Sequence, residues 1–313
     1  MKYHAHTRIF VAGHRGLVGS AICRALEKRG FDNLIVRTSS ELDLTDGARV
    51  EAFFRTEKPE LVILAAAKVG GIQANSLYPA DFILNNIAIE SNVIQAALRH
   101  GCDRLLFLGS SCIYPRMCPQ PIREEYLLTA PLESTNEAYA LAKIAGLKMC
   151  EAINRQHAKH YLAVMPTNLY GPGDNYDLET SHVIPALIRK FHEAKMNRVP
   201  QVVLWGTGNP RREFLYVDDM ADACLYLMLD TDTCALTNIG TGIDLTIRET
   251  AELVAQTVGY EGEIVFDHTH PDGTPQKLLD VSRLSSLGWK ARTSLRHGLE
   301  MTYAAFLKGE ARM

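Results

Sequence analysis

The chain predicts an α/β fold, a doubly wound parallel sheet joined to a smaller, discontinuous C-terminal substrate lobe. Three observations carry this expectation. Short apolar runs alternate with helix-period segments through the first half. The runs are apolar on both faces, as in strands covered by helices above and below. The first run opens through glycine-spaced "VAGHRGLVGS" into a helix, the entry of a nucleotide-binding unit.

The elements follow in order. "TRIFVAG" (7–13) is a buried strand, and "LVGSAICRALEKRG" (17–30) an amphipathic helix stopped by Gly30. "NLIVRT" (33–38) is a second strand, and "GARVEAFFRTEK" (47–58) a helix closed by Pro59. "ELVILAAA" (60–67) is a third strand, followed by the long helix 79–101 with a nearly continuous apolar side. "DRLLFLGSS" is the next strand, 136–157 another long helix, and "YLAVMPTNLYGP" (161–172) a strand and turn. After residue 173 glycine, proline and turn residues become frequent, with a return to the sheet expected near 235–241. The division expected is 1–173 plus a returning segment near 213–245 for the dinucleotide domain. The substrate lobe takes 174–212 and 246–313.

The 313 residues are 47% hydrophobic and 22% charged, with a net charge of −3, an ordinary soluble composition without a basic footprint for nucleic acid. No apolar stretch approaches the roughly 18–20 residues of a membrane helix, and the N-terminus lacks a signal-peptide core. Seven scattered cysteines without metal-ligand spacing suggest reduced thiols in the cytoplasm and no metal site. Cys23, Cys150 and Cys224 read as core, and Cys118 as a second reactive thiol near the cleft.

Gly13, Gly16 and Gly19 form G-x-x-G-x-x-G between strand and helix, allowing a tight turn, close approach to a pyrophosphate and a helix N-terminus facing it, as in Rossmann-type folds. Arg37 stands where an NAD binder carries an acid, and Arg15 lies inside the glycine loop. Two guanidiniums there suit a 2′-phosphate, so NADP is expected over NAD. Asp43 is expected at the adenine edge or as the cap of the following helix. Tyr139 and Lys143 share a helix face one turn apart. An ammonium there lowers the phenol's pKa and can hold the cofactor ribose. Ser110, at a strand end, can donate to a carbonyl oxygen that gains charge during hydride addition.

The Ser110, Tyr139 and Lys143 set resembles the extended short-chain dehydrogenase/reductases. "GSSCIYP", "NEAYALAKIAG", "MPTNLYGPGDN", "SHVIPALIRKFHEA", "VVLWGTGNPRREFLYVDDMA" and "GTPQKLLDVSRL" resemble the GDP-L-fucose synthase family, across residues 7 to 308. The resemblance implies conversion of GDP-4-keto-6-deoxy-D-mannose to GDP-L-fucose with NADPH, by epimerisation at carbons 3 and 5 and reduction at carbon 4. It implies a reductase set of Ser110, Tyr139 and Lys143, and an epimerisation acid/base pair of Cys112 and His182. The cofactor residues implied are Gly13, His14, Arg15, Gly16, Leu17, Val18, Gly19, Arg37, Asp43, Lys143, Pro166, Asn168, Leu169 and His182. Lys190, Trp205, Arg212 and Asp280 would hold the GDP-sugar, with Lys190 where relatives can carry arginine. Strand alternation would place Cys112 on the same side as Ser110. Competing readings are a nucleotide-sugar 4-epimerase or 4,6-dehydratase with tightly held NAD, and a nucleotide-sensing regulator built on an inactive reductase. The broad apolar faces of helices 79–101 and 136–157 suggest a homodimer through a four-helix interface.

Overall fold

The computed structural model describes residues 3–178 and 180–310. Its main sheet has six parallel strands: β1 (Ile9–Ala12), β2 (Leu34–Ile35), β3 (Leu61–Leu64), β4 (Arg104–Leu108), β5 (His160–Pro166) and a late-returning strand, Thr237–Ile239. The spatial order is β2-β1-β3-β4-β5 and then Thr237–Ile239, which pairs Val164 with Thr237 and Pro166 with Ile239. The order reverses between β1 and β3, which places a ligand crevice at the carboxyl ends of those strands.

Strand alternation splits the core in two. Phe10, Ala12, Val62, Leu64, Leu105 and Phe107 face one layer, packed with Val50, Phe54, Val93, Ile94 and Leu147. These come from α2 (Gly47–Glu57), α4 (Pro79–Arg99) and α5 (Glu137–His157), which follow α1 (Leu17–Lys28) and a short α3 (Ile72–Leu77) in the chain. Ile9, Val11, Leu61, Ile63, Leu106 and Leu108 face the other layer, where α1 supplies Ile22 and Leu26. Full burial of each such side chain stabilises the fold by about 1.5–3 kcal/mol. The second strand is two residues long, shorter than the run 33–38, because it is the sheet edge and has only β1 to pair with.

Beyond β5 the chain builds a smaller unit. β6 (Asn168–Tyr170) leads to α6 (Val183–Met196), then β7 (Gln201–Trp205), β8 (Arg211–Tyr216) and α7 (Val217–Leu225), whose Met220, Ala221 and Cys224 return to the second core beside α1. After β9 (Thr237–Ile239) come β10 (Asp244–Thr246), α8 (Ile247–Val258), β11 (Glu263–Asp267), β12 (Gln276–Lys277), α9 (Ser282–Ser286) and α10 (Leu295–Leu307). β8 is the hub. It pairs antiparallel with β10 and parallel with both β6 and β12. A third core, including Ile184, Ile188, Phe191, Leu204, Phe214, Val254 and Leu299, holds this unit together.

The Glu213 carboxylate locks the hub. It is fully buried and accepts backbone N–H bonds from Thr241 (2.6 Å), Gly242 (2.7 Å) and Leu279 (3.0 Å). Charge-assisted bonds of this kind contribute about 1.5–3 kcal/mol each. They fix β12 beside β8 in a register that sets Lys277 opposite Arg212.

Candidate active site

The glycine loop has the shape its spacing implies. Gly13 has φ +86, and a side chain there would strike the Ala66 backbone at 2.7 Å. A methyl on Gly19 would come within 2.1 Å of the Gly13 carbonyl oxygen. Gly16 is the N-cap of α1 and offers no side-chain cap, so the first N–H groups of the helix remain open to a ligand. Leu17 and Val18 begin that helix, partly buried. The His14 Nδ1 is buried without a hydrogen-bond partner, and burial, then the Arg15 charge, push the imidazole pKa down. A cradle that excludes side chains and presents unbonded donors fits a dinucleotide pyrophosphate.

The two arginines expected at a 2′-phosphate differ. Arg15 is exposed and forms no ion pair among the described residues, whereas Arg37 is held by Glu57 at 2.5 Å. Arg37 must therefore exchange or share that carboxylate to meet a phosphate. Asp43 does not cap α2: its carboxylate accepts from the Thr45 N–H (2.9 Å) and hydroxyl (2.7 Å), and Asp46 is the cap.

Ser110 and Cys112 follow β4, but not as strand residues. The strand ends at Leu108, Ser110 is extended, and Ser111–Ile113 form one 3₁₀ turn. The Ser110 hydroxyl oxygen caps that turn, accepting the Cys112 N–H at 3.4 Å. The alternation expected for Cys112 is thus replaced by a capped turn, and the thiol is placed by that turn.

Tyr139 and Lys143 lie on α5 as the spacing requires. The phenol packs edge-on to Phe82, with ring centroids 6.3 Å apart. Its pKa is not lowered by the lysine. Burial raises it well above the usual tyrosine value, and the nearby Cys112 and Glu90 raise it further. The Lys143 ammonium, 2% exposed, is turned to Glu90, with Nζ 3.1 Å from Oε1 and 4.8 Å from the Phe107 ring centre.

His182 is the N-cap residue of α6, yet its side chain makes no cap bond. The ring is solvent-accessible but closely surrounded by protein, the situation of a cleft wall. Desolvation, then the Lys277 charge, lower its pKa. Lys277 was not among the expected site residues. Its ammonium also lowers the Cys112 thiol, which burial otherwise raises. Lys277 is itself lowered, first by desolvation, and forms no hydrogen bond or ion pair among the described residues. The only sequence signal was a lysine inside "GTPQKLLD". One electrostatic neighbourhood therefore links Tyr139 with Cys112, Cys112 with Lys277, and Lys277 with His182 and Arg212.

Arg211 and Arg212 face oppositely. Arg211 Nε binds Asp244 at 2.9 Å, while among the described residues Arg212 donates only to a backbone carbonyl and has no carboxylate in ion-pair contact. Lys190 and Trp205 form a second cluster: Lys190 Nζ lies 5.9 Å from the Trp205 ring centre, and His270 stacks on the indole at 4.3 Å. Trp205 is 70% exposed, so it is not core. Asp280 is engaged with the Ser282 N–H (2.8 Å) and Arg123 (3.6 Å). Pro166 ends β5, Leu169 lies on β6, and the Asn168 side chain donates to the Glu213 carbonyl at 2.9 Å. All seven cysteines are free; Cys150 and Cys224 are buried, but Cys23 is only half-buried. Burial raises the Cys118 thiol.

The parallel sheet, the glycine cradle and the acid/base groups at its carboxyl edge define a dinucleotide-dependent α/β enzyme. The chain belongs to the NAD dependent epimerase/dehydratase family, whose model matches residues 9–240. It is 60% identical over 301 residues to the putative GDP-L-fucose synthase 2 of Arabidopsis thaliana, covering 96% of this chain and 92% of that relative. It is 55% identical to the GDP-L-fucose synthase of Escherichia coli (strain K12), covering 97% and 98%. Among solved structures it superposes with a TM-score of 0.93 on a GDP-L-fucose synthetase from Naegleria fowleri bound to NADP, at 28% identity, covering 99% and 96%.

Proposed function

We propose that this chain converts GDP-4-keto-6-deoxy-D-mannose to GDP-L-fucose with NADPH, epimerising carbons 3 and 5 and reducing carbon 4 in one cleft. The observation that carries the reading is the coexistence of two acid/base sets: Ser110 with Tyr139 and Lys143, and Cys112 with His182, joined through Lys277. A simple reductase needs only the first set.

The 4-ketone acidifies the hydrogens at carbons 3 and 5. Cys112 and His182 remove one such proton and return another from the opposite face, inverting each centre. Burial raises the Cys112 thiol, Lys277 opposes part of that rise, and burial with Lys277 keeps the His182 ring neutral. At each centre one of the two groups accepts the carbon proton and the other, in its protonated form, returns one. Ser110 holds the ketone oxygen, and Tyr139, kept protonated by its burial, delivers a proton to that oxygen. NADPH, when bound, supplies the hydride. Gly13, Gly16, Gly19, His14 and Arg15 would hold its phosphates, with Lys143 at its ribose, and Arg37, Pro166, Asn168 and Leu169 lining its length.

The unit of residues 174–212 and 246–313 would hold the GDP-sugar. Arg212 and Lys277 form an acceptor-poor cationic pair for the diphosphate, and the exposed Trp205 gives a stacking face for guanine near Lys190. Asp280 would close the rim. The outward Leu84, Ile87 and Leu141 on α4 and α5 suit a homodimer through a four-helix interface. A monomer by light scattering would remove that part. No helix among the described residues is long and apolar enough to cross a membrane; we place the enzyme in the cytoplasm. The deciding experiment incubates the chain with GDP-4-keto-6-deoxy-D-mannose and NADPH and identifies the product by NMR. GDP-L-fucose supports the reading; NADPH left unoxidised, or a product with unchanged carbons 3 and 5, overturns it.

A further inference from the structure

The α4 helix buries a carboxylate that the reaction above does not use. Glu90 has no exposed surface, and neither of its oxygens has a hydrogen-bond partner. Its Oε1 lies 3.1 Å from Lys143 Nζ, an ion-pair distance. The fit is tight on the facing helix: a methyl on Gly146 would fall 2.7 Å from Glu90 Oε2 and 2.5 Å from Phe107. Residue 146 leaves room for the carboxylate by having no side chain.

We propose that Glu90 is the built-in counter-charge of Lys143, a positioning residue that holds the reductive lysine in place and keeps Tyr139 protonated. This rests on the functional reading above. An ammonium buried among Phe107 and the Tyr139 ring has lost its hydration, and a carboxylate at 3.1 Å offsets that cost. Burial raises the Glu90 carboxyl above the usual carboxylate range, and the Lys143 ammonium opposes part of that rise. The titratable groups that feel Glu90 are Lys143, Tyr139 and Cys150, all on α5; β4 presents the Phe107 ring. The Glu90 charge raises Tyr139, which suits a proton donor that must stay protonated until hydride arrives. The carboxylate thus acts chiefly on reduction: Lys277 is the larger charge at Cys112, ahead of Lys143, and the charge that acts on His182.

The test compares Glu90→Gln with the unaltered enzyme in two assays: NADPH oxidation against pH, and deuterium uptake at carbons 3 and 5 of the keto sugar in heavy water with NADP⁺. Loss of the carboxylate removes one of the charges that raise Tyr139. The alkaline limb of reduction should therefore move down by about one pH unit or more. On that alkaline limb reduction at a fixed pH should fall about tenfold, with deuterium uptake changed less than about twofold. Glu90→Asp should give a smaller shift of the same sign. An unmoved alkaline limb, or equal losses in both assays, overturns the proposal. If Glu90→Gln does not fold, Glu90→Asp is read by the same criterion. A stability cycle of Glu90→Met, Lys143→Met and the double variant then decides the pairing. A double variant more stable than either single supports it, and additive losses overturn it. Failure of the unaltered enzyme to exchange or reduce this sugar would sink the functional reading instead, and the stability cycle would still judge the pair.

Discussion

Lys277→Met removes an ammonium whose field reaches both Cys112 and His182. The side chain is half-buried on β12, in register with Arg212, and methionine matches its length without its charge. A cation in a cleft of this kind shifts a neighbouring acid by one to a few units; one unit is about 1.4 kcal/mol. The signs are the same at both residues. Lys277 lowers the thiol and lowers the imidazole, so its removal raises both. The whole pH profile of deuterium exchange should move to higher pH by about one unit. At pH 7, on the rising limb, exchange should fall roughly tenfold. The assay is NMR of deuterium at carbons 3 and 5 across pH 6 to about 9.5, a span that covers the reference His and Cys pKa values. NADPH affinity should not change, since Lys277 is not part of the glycine loop. If the profile stays in place or moves down, Lys277 does not tune the epimerisation pair, and the electrostatic link between Cys112 and His182 is wrong.

Gly19→Ala should weaken NADPH about tenfold or more in a fluorescence titration, because its methyl would lie 2.1 Å from the Gly13 carbonyl oxygen and must spread the cradle. Unaltered affinity would refute that packing. Cys112→Ser should largely stop deuterium exchange while NADPH still binds, because a hydroxyl is a far weaker acid than a thiol; exchange at the unaltered rate would refute the thiol's role. Tyr139→Phe should do the converse, cutting reduction by roughly a hundredfold while some exchange persists. Arg15→Ala should weaken NADPH about tenfold or more and NADH little; Arg37→Ala should have the smaller effect, since Glu57 already holds that guanidinium. Equal losses for both cofactors would show that Arg15 does not read the 2′-phosphate.

The fold was legible where burial dictates composition. Ile9–Ala12, Leu61–Leu64 and Arg104–Leu108 are buried throughout, so their apolar runs stand out. The edge strand was overextended because apolar residues continue past the last backbone pair. The helix-cap alternative for Asp43 fails because two aspartates three residues apart both precede α2, and only the turn geometry tells which one caps it. Tyr139 and Lys143 could be found from helical spacing, but the direction of the tyrosine's shift could not. It depends first on burial and then on Cys112 and Glu90, which local spacing does not relate to α5. Within the long helix 79–101, Asn86 and Glu90 interrupt the apolar side, yet both are fully buried. A nearly continuous apolar side gives no reason to expect a carboxylate inside it.

Lys277 was hidden for a different reason, and that reason bears on how the site is built. Cys112 and Lys277 are distant in the chain and have no shared pattern. They meet because Glu213 accepts three backbone N–H bonds, two from Thr241 and Gly242 after the sixth strand and one from Leu279 after β12. One buried carboxylate thus fixes the substrate-side strands β8 and β12 to the end of the dinucleotide-binding sheet. Gly240 leaves space for it, since a methyl there would lie 2.3 Å from Glu213 Oε1. The sheet sets the reductive residues through β4 and α5, and Glu213 sets Arg212 and Lys277 relative to them. Changing Glu213 to Gln would replace one acceptor oxygen with a donor facing backbone N–H groups. The register of β12 would loosen, and Lys277 and Arg212 would be displaced together. The combined loss should exceed that of Lys277→Met in both exchange and sugar-nucleotide affinity, although Glu213 itself touches neither reacting carbon.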